Sequence, residues 1–331
     1  MVNIKTIEYD VELVTETGAK YPLNGVLLSL VWSENINELA QRAVITLANR
    51  AMGDTWLMAI AKINCVILIY AKWEGQSRQL VFEGTVWEWQ YVSSQNKEIT
   101  LTAYDRLIRL QQSRDFFYYQ AGMTTQALIA DICNVWGVPF LYDWKSSLTH
   151  EKKIFNAEYL SDMIVGLLEE VRQKTGEKYI IYYKNSQMQI TGYGTNAAIY
   201  RFDITNTTRT LNKHNISNLV TVVKILGKED NEGRIQVESI VEGDTRYGVL
   251  QEIIRRDSNK TLEAALSEAN ALIAERGKPD EFSQADVPDI PTVRKGDIVE
   301  IAAGNLLGGF FVEGVEHNAT ARKMKLTLSR A

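Results

Sequence analysis

The sequence predicts an α+β protein that is mainly β, in which two barrel-like β modules flank a small α+β unit. Three observations predict this. Residues 1–111 carry runs of β-branched and aromatic residues with partial period-two alternation. Residues 206–331 return to the same texture, interrupted by one helical pattern. Between them, residues 112–205 hold two amphipathic helix patterns followed by a hairpin. Three domains with those bounds are expected.

In the first region the strand-like runs are Ala43–Ala48, Ile63–Ala71, Gln79–Tyr91 and Lys97–Ala103. Alternation is clearest where Val81, Glu83, Thr85, Trp87 and Trp89 stand against Phe82, Gly84, Val86 and Glu88. Gly75-Gln76-Ser77 reads as a hairpin turn, and Asp54–Ala61 as a short helix. In the middle region Thr124 caps a helix whose face is Leu128, Ile129, Ile132, Cys133 and Trp136, ended by Gly137. A second helix spans Tyr159–Lys174 with the stripe Leu160, Ile164, Leu167, Leu168 and Val171, and Gly176 is its C-terminal cap. Lys178–Lys184 and Gln187–Thr191 form a hairpin about Asn185-Ser186. The last region has strands at Asn218–Leu226, Gly233–Val241, Val249–Arg255, Asp297–Ile301, Gly309–Val315 and Met324–Leu328. Its helix is Lys260–Glu275, with the stripe Leu262, Leu266, Ala269, Leu272 and Ile273, stopped by Gly277 and Pro279. Lys278–Pro291 reads as a polar loop.

Composition narrows the function classes. The 331 residues are 45% hydrophobic and 23% charged, which is ordinary globular usage. The net charge of −5 argues against a basic nucleic-acid-reading surface. Five prolines and 21 glycines leave little room for a long linker. Cys65 and Cys133 are too few and too far apart for a disulfide framework or a metal site, so they read as buried thiols. Met1–Asp10 alternates charged and apolar residues and lacks a signal-peptide core, and no apolar run is long enough to span a membrane. Without a secretory signal, the N-x-S/T triplets at Asn206, Asn215, Asn259 and Asn318 read as chance.

Catalytic constellations do not emerge. The nucleophile elbow, the phosphate-binding loop and the H-E-x-x-H helix are all missing from the sequence. His150, His214 and His317 lack a Cys or carboxylate at ligand spacing, and His317 reads as a strand-end residue bonded to a turn. Glu169-Glu170 sits at the edge of a helix stripe, and Glu229-Asp230 in a polar turn with Asn231 and Gly233. Neither pair is singled out as the facing carboxylates of a glycosidase. The aromatics are more telling. Trp87 and Trp89 share a strand face in this reading, and Phe116, Phe117, Tyr118 and Tyr119 are consecutive. They suit a core, a domain junction or a protein interface. Few Arg or Lys interleave with them, which disfavours base stacking.

An ordered set of motifs carries a resemblance. Val31-Trp32-Ser33, Asn35 and Arg42-Ala43-Val44-Ile45-Thr46-Leu47 open the series. Val81-Phe82-Glu83-Gly84-Thr85-Val86 follows, then Thr102-Ala103-Tyr104-Asp105-Arg106-Leu107. The series closes with Arg294-Lys295-Gly296-Asp297-Ile298-Val299-Glu300-Ile301 and Gly309-Phe310-Phe311-Val312-Glu313-Gly314-Val315-Glu316-His317. In this order the set resembles phage tail hub proteins of the XkdQ/YqbQ type. The close is also similar to late control D-type tail proteins. The motif residues are Trp32, Arg42, Phe82, Gly84, Tyr104, Asp105, Gly296, Asp297, Val299, Val312 and His317. Two features depart from the family pattern: no wall-binding LysM-like module follows Ala331, and Trp56–Ala61 is more apolar than the loop expected there.

The resemblance implies two tail-tube-like β-barrels per chain and a homotrimeric hub at the end of a contractile tail. Three chains with two barrels each present six quasi-equivalent modules to a hexameric tail tube and a threefold face to a trimeric spike. Other baseplate proteins are further partners, and DNA or a tape-measure protein passes through the channel. The implied site of synthesis is the bacterial cytoplasm, and the implied destination the tail baseplate of a phage or phage-like particle. No cofactor, metal or membrane insertion is expected. Because phosphate binding strengthens with every cationic contact, a free-passage channel should be neutral to acidic. Glu83, Glu300 and Glu313 are candidates to line it. The alternatives are a tail-associated peptidoglycan hydrolase and a β module that binds carbohydrate or protein outside tails.

Overall fold

The computed structural model describes residues 6–93, 97–229, 233–256 and 260–331. Asn259, Asp230 and Asn231 of the polar turn, and the first five residues lie outside these. The chain forms two compact units, Met1–Thr210 with Gln284–Ala331, and Leu211–Ser283. It is mainly β with few helices, as the alternation predicts.

The first unit is organised by one antiparallel path. Its order is Lys323–Arg330, Leu306–Asn318, Leu27–Asn35, Arg42–Ala48, Glu98–Tyr104, Gln79–Val92, Val66–Lys72, Glu8–Val14 and Lys20–Pro22. Period two decides which side is buried: Ala43, Ile45 and Leu47 are buried, while Val44 and Thr46 are only half-buried. The described ladders trace an open path, with no closed ring among them. The two β-rich ends of the chain share this path through a single ladder, in which Val31–Asn35 pairs with Gly314–Asn318. A separate β core lies on either side of it. One gathers Leu13, Trp32, Ile45, Ile67, Phe82 and Leu101. The other gathers Phe202, Val287, Val299, Phe310, Val312 and Leu326.

The helices follow their capping chemistry. Thr124 Oγ1 accepts from the Ala127 amide and starts the helix Thr125–Val135. The helix Leu160–Thr175 buries Leu160, Ile164, Leu167, Leu168 and Val171 and ends at Gly176, which is left-handed at φ 75°. In the hairpin Tyr179–Lys184/Gln187–Gly192, Asn185 and Ser186 have φ of 53° and 58°, the pair of positive angles that a tight two-residue turn needs.

The second unit is a three-stranded sheet in which Val222–Glu229 lies between Ile235–Glu242, antiparallel, and Gln251–Arg255, parallel. The helix Leu262–Arg276, capped by Thr261, packs Ala265 and Ala269 against Val220, Val223 and Ile225.

Several expectations need correction. Within the expected loop Lys278–Pro291, Asp280–Pro288 is a strand. Ser283, Ala285 and Val287 are buried there, an alternation hidden by the acidic and polar residues between them. The apolar segment expected to be helical over Asp54–Ala61 is strand at Thr55–Trp56 and one helical turn at Leu57–Ile60. Phe116–Tyr119 belongs to the strand Arg114–Tyr119, paired with Lys153–Tyr159. Phe117 and Tyr119 face the core, whereas Phe116 and Tyr118 are exposed. Trp87 and Trp89 do not share a face. Val86 pairs with Ala103 and Glu88 with Thr102, so Trp87 is the extra residue of a bulge. Beyond it Trp89 and Tyr91 pack on the core, and Trp87 points away, 41% exposed.

Candidate functional site

The most concentrated chemistry of the first unit is a buried charge cluster beside the ladder that joins the two β cores. Glu34 is the penultimate residue of the strand Leu27–Asn35 and is buried. Arg294 Nε donates to Glu34 Oε1 at 2.8 Å, and its terminal nitrogen reaches the same oxygen. Arg294 also donates to the Tyr183 carbonyl at 3.1 Å and lies over the Tyr182 ring. The buried Lys295 spends its ammonium on three carbonyls, those of Asn35, Glu38 and Leu39, at 3.3, 2.7 and 3.2 Å. Asp105 is buried as well and accepts from the Gln41 and Leu107 amides at 3.0 and 2.8 Å.

Two cations and two carboxylates thus share one low-dielectric space. Burial pushes Glu34 up, but Arg294 and Lys295 outweigh it and hold the carboxylate below its ordinary range. Burial is the largest influence on Asp105, which it pushes up, and on Lys295, which it pushes down. Every donor here points at a protein acceptor, so the cluster fastens the 294–297 turn to the Trp32 strand.

A second cluster lies on the same ladder. His317 pairs with Trp32 across the strands and stacks on it with ring centroids 4.6 Å apart. His317 Nδ1 is 2.6 Å from Asp289 Oδ1, and Nε2 is 3.0 Å from the Val293 carbonyl. Tyr9 donates to the other Asp289 oxygen at 2.6 Å and meets Trp32 edge-on. His317 is therefore a strand-end residue bonded to the neighbouring turn, as its sequence position suggests, and it is also buried in the core. Both of its nitrogens are occupied by structural partners, as a general base's would not be.

The comparisons with known proteins follow the same outline. The family model described as YQBQ-like matches residues 30–329. The chain belongs to this family. The uncharacterized protein YqbQ of Bacillus subtilis (strain 168) is 23% identical over 232 residues, 68% of either chain. The tail protein from Neisseria meningitidis MC58 matches with a TM-score of 0.70 at 12% identity, over 97% of this chain and 96% of that one. The 43 kDa tail protein of prophage MuSo2 from Shewanella oneidensis matches at 0.69 and 12% identity, over 98% of both. The E. coli c3393 protein, a type VI secretion component with structural similarity to the T4 tail proteins gp27 and gp5, matches at 0.56 and 11% identity, over 92% of this chain and 74% of that one. The resemblance read from the ordered motifs holds, and the fold is that of phage tail proteins.

In this YqbQ-like chain each motif has a physical explanation. In Phe82-Glu83-Gly84, the Phe82 ring is buried and a Cβ at Gly84 would stand 2.6 Å from the Tyr104 carbonyl. Tyr104 pairs with Arg42, which is exposed, and Asp105 closes the strand end through its two amides. In Arg294–Asp297 the Asp297 amide donates back to the Arg294 carbonyl at 3.2 Å, and Gly296 has φ 86° at the third position of the turn. A Cβ there would also press Ile180 at 2.9 Å. Val299 and Val312 are buried in the C-terminal β core.

Of the three acidic candidates, Glu300 is exposed. Glu83 is half-buried and accepts from Ser186 Oγ at 3.3 Å. Glu313 accepts from Tyr193 at 3.2 Å and from Ser329. Glu169 and Glu170 each have a cationic partner: Arg172 Nε is 2.8 Å from Glu169, and Lys153 and His150 hold Glu170. His150 Nε2 is also 2.8 Å from Thr125 Oγ1, and His214 lies in the strand Arg209–Asn215. Both cysteines are buried and free. Among the described residues no group of three or more His, Cys, Asp or Glu gathers as a metal site, and no helix is long and apolar enough to cross a membrane. Glu34 and Tyr9 escaped the sequence reading because their partners Arg294 and Asp289 are 260 and 280 residues away, and Asp289 because it stood in the segment read as a polar loop.

Asp297 supports a pH prediction. Its Oδ2 accepts from the Arg294 amide at 2.8 Å, yet burial raises it from 3.8 to about 6. The folded chain therefore holds a proton that the unfolded chain has released. The resulting stability is full below about pH 4 and is lost as pH rises through about 6, up to about 3 kcal/mol. Asp297→Asn keeps the acceptor and removes the titration. Urea titrations from pH 4 to 7 should show a shallower loss of stability in the variant, and an unchanged slope would contradict this assignment.

Proposed function

We propose that the chain is the baseplate hub of a contractile tail, a structural rather than catalytic part that adapts a hexameric tube to a trimeric spike. The observation that carries this reading is the pairing of two separate β cores on one ladder, in a chain whose family and fold are those of tail proteins. On this reading the regions 1–111 and 206–331 serve as two tube-like modules, with 112–205 between them. Three chains then offer six modules to the tube and one threefold face to the spike, and other baseplate proteins attach around the ring. A closed ring also leaves no strand edge open to uncontrolled pairing.

The hub encloses part of the central channel through which DNA or a tape-measure protein passes. Glu83, Glu300 and Glu313 contribute carboxylates to that wall, of which the exposed Glu300 is the most available. The particle is assembled in the bacterial cytoplasm, and the chain ends in the tail baseplate. Light scattering at micromolar concentration tests the oligomer. The expected result is a trimer, or self-association completed when the spike protein is added. A chain that stays monomeric when mixed with both tube and spike proteins would refute the proposal.

A further inference from the structure

The bulge that turns Trp87 out of the core places it at a cleft of about 280 Å³, walled by Trp87, Trp136, Pro139, Arg106, Arg109 and Tyr183. Two features distinguish this cleft. Both indoles are substantially exposed, at 41% and 39%, although Trp136 is fixed in place by donating to Asp115 Oδ2 at 2.9 Å. Arg106 and Arg109 are exposed and have no salt-bridge partner among the described residues. Tyr183 is only 6% exposed and closes the floor of the cleft with its ring.

We infer that this cleft docks a short acidic segment of a neighbouring protein, one carrying a carboxylate beside an aromatic or aliphatic side chain. Each part of the wall answers one part of that ligand. The two guanidiniums, three residues apart, offer forked donors to a carboxylate. The indoles and Pro139 cover an apolar side chain. Trp, Tyr and Arg are the residue types that dominate binding energy at protein interfaces. No Asp or Glu is in this wall, whereas the adjoining cleft, which shares Arg106 and Arg109, has Glu16 and Glu83 in its own. An acidic segment would therefore be repelled from that side and directed to the tryptophans. Single-stranded nucleic acid can also use indoles and arginines, but its affinity accumulates along a basic track. This cleft has two cations and the volume of one or two side chains, on a chain of net charge −5.

Selecting a displayed random heptapeptide library on the purified chain tests the inference. The expected peptides are enriched in Asp or Glu next to an aromatic or aliphatic residue. The best of them should bind Arg106→Glu/Arg109→Glu at least tenfold more weakly than the native chain, about 1.4 kcal/mol. Its Asn/Gln analogue should be weakened equally on the native chain. Arg106→Gln/Arg109→Gln gives the same reading should charge reversal disturb folding. Trp87→Ala separates binding from structure: an indole 41% exposed contributes little to denaturant stability, while peptide affinity falls severalfold. Neutral or basic winners, equal binding to the arginine variants, or tighter arginine-dependent binding of a twelve-nucleotide single-stranded DNA would each overturn it.

Discussion

Arg294→Met is expected to destabilise the first unit by about 3–5 kcal/mol, the cost of leaving a buried carboxylate without its cation. Glu34 has a side chain only 1% exposed, and Arg294 is its salt-bridge partner. What remains is the Lys295 amide at 3.3 Å and the charge of the Lys295 ammonium, whose hydrogen bonds go to three carbonyls rather than to Glu34. The loss is large because the methionine cannot hydrogen-bond the buried Glu34. Adding Glu34→Gln to the variant should recover part of the stability, since a neutral amide is cheaper to bury than an unpaired charge. Urea unfolding at pH 7 measures both. A loss below about 1 kcal/mol for Arg294→Met would show that the pair is solvated like a surface ion pair.

Trp32→Ala is expected to cost a similar amount, about 3–5 kcal/mol, by a different route. Trp32 is 1% exposed and holds the stack on His317 and the edge contact with Tyr9. Its removal opens a cavity where the N-terminal and C-terminal strands meet. The damage should be local first: amide exchange should quicken at Val31–Asn35 and Gly314–Asn318, the two sides of that ladder. Trp32→Phe should cost less, since a ring can still cover His317. Exchange that quickens equally over both β cores, with no preference for this ladder, would contradict the assignment.

These two sites show what a sequence can and cannot disclose. Local patterns were legible because side-chain period and capping chemistry are local. The inward set of Arg42–Ala48, the Thr124 cap and the left-handed Gly176 are all written within a few neighbouring residues. The bulge at Trp87 was not, because one extra residue leaves the alternation looking continuous while it changes which side faces the core. The strand Asp280–Pro288 was obscured in the same way, its buried positions held by small Ser283 and Ala285 among acidic residues. The motif residues could be named but not explained. Trp32 and His317 became partners only when the ladder brought together residues 285 positions apart, and no local signal pairs Glu34 with Arg294. Asp289 and Tyr9, which complete the His317 cluster, have no motif at all.

In the proposed hub, three copies of this chain close a ring between tube and spike. Imaging assembled particles at side-chain resolution tests it most directly, by counting copies at the tip of the tail tube and tracing which residues face the channel. The expected result is three copies, six β modules beneath the last hexameric tube ring, and a channel wall in which acidic and neutral side chains outnumber lysines and arginines. Six copies, a position away from the end of the tube, or a channel lined mainly by lysine and arginine would contradict it.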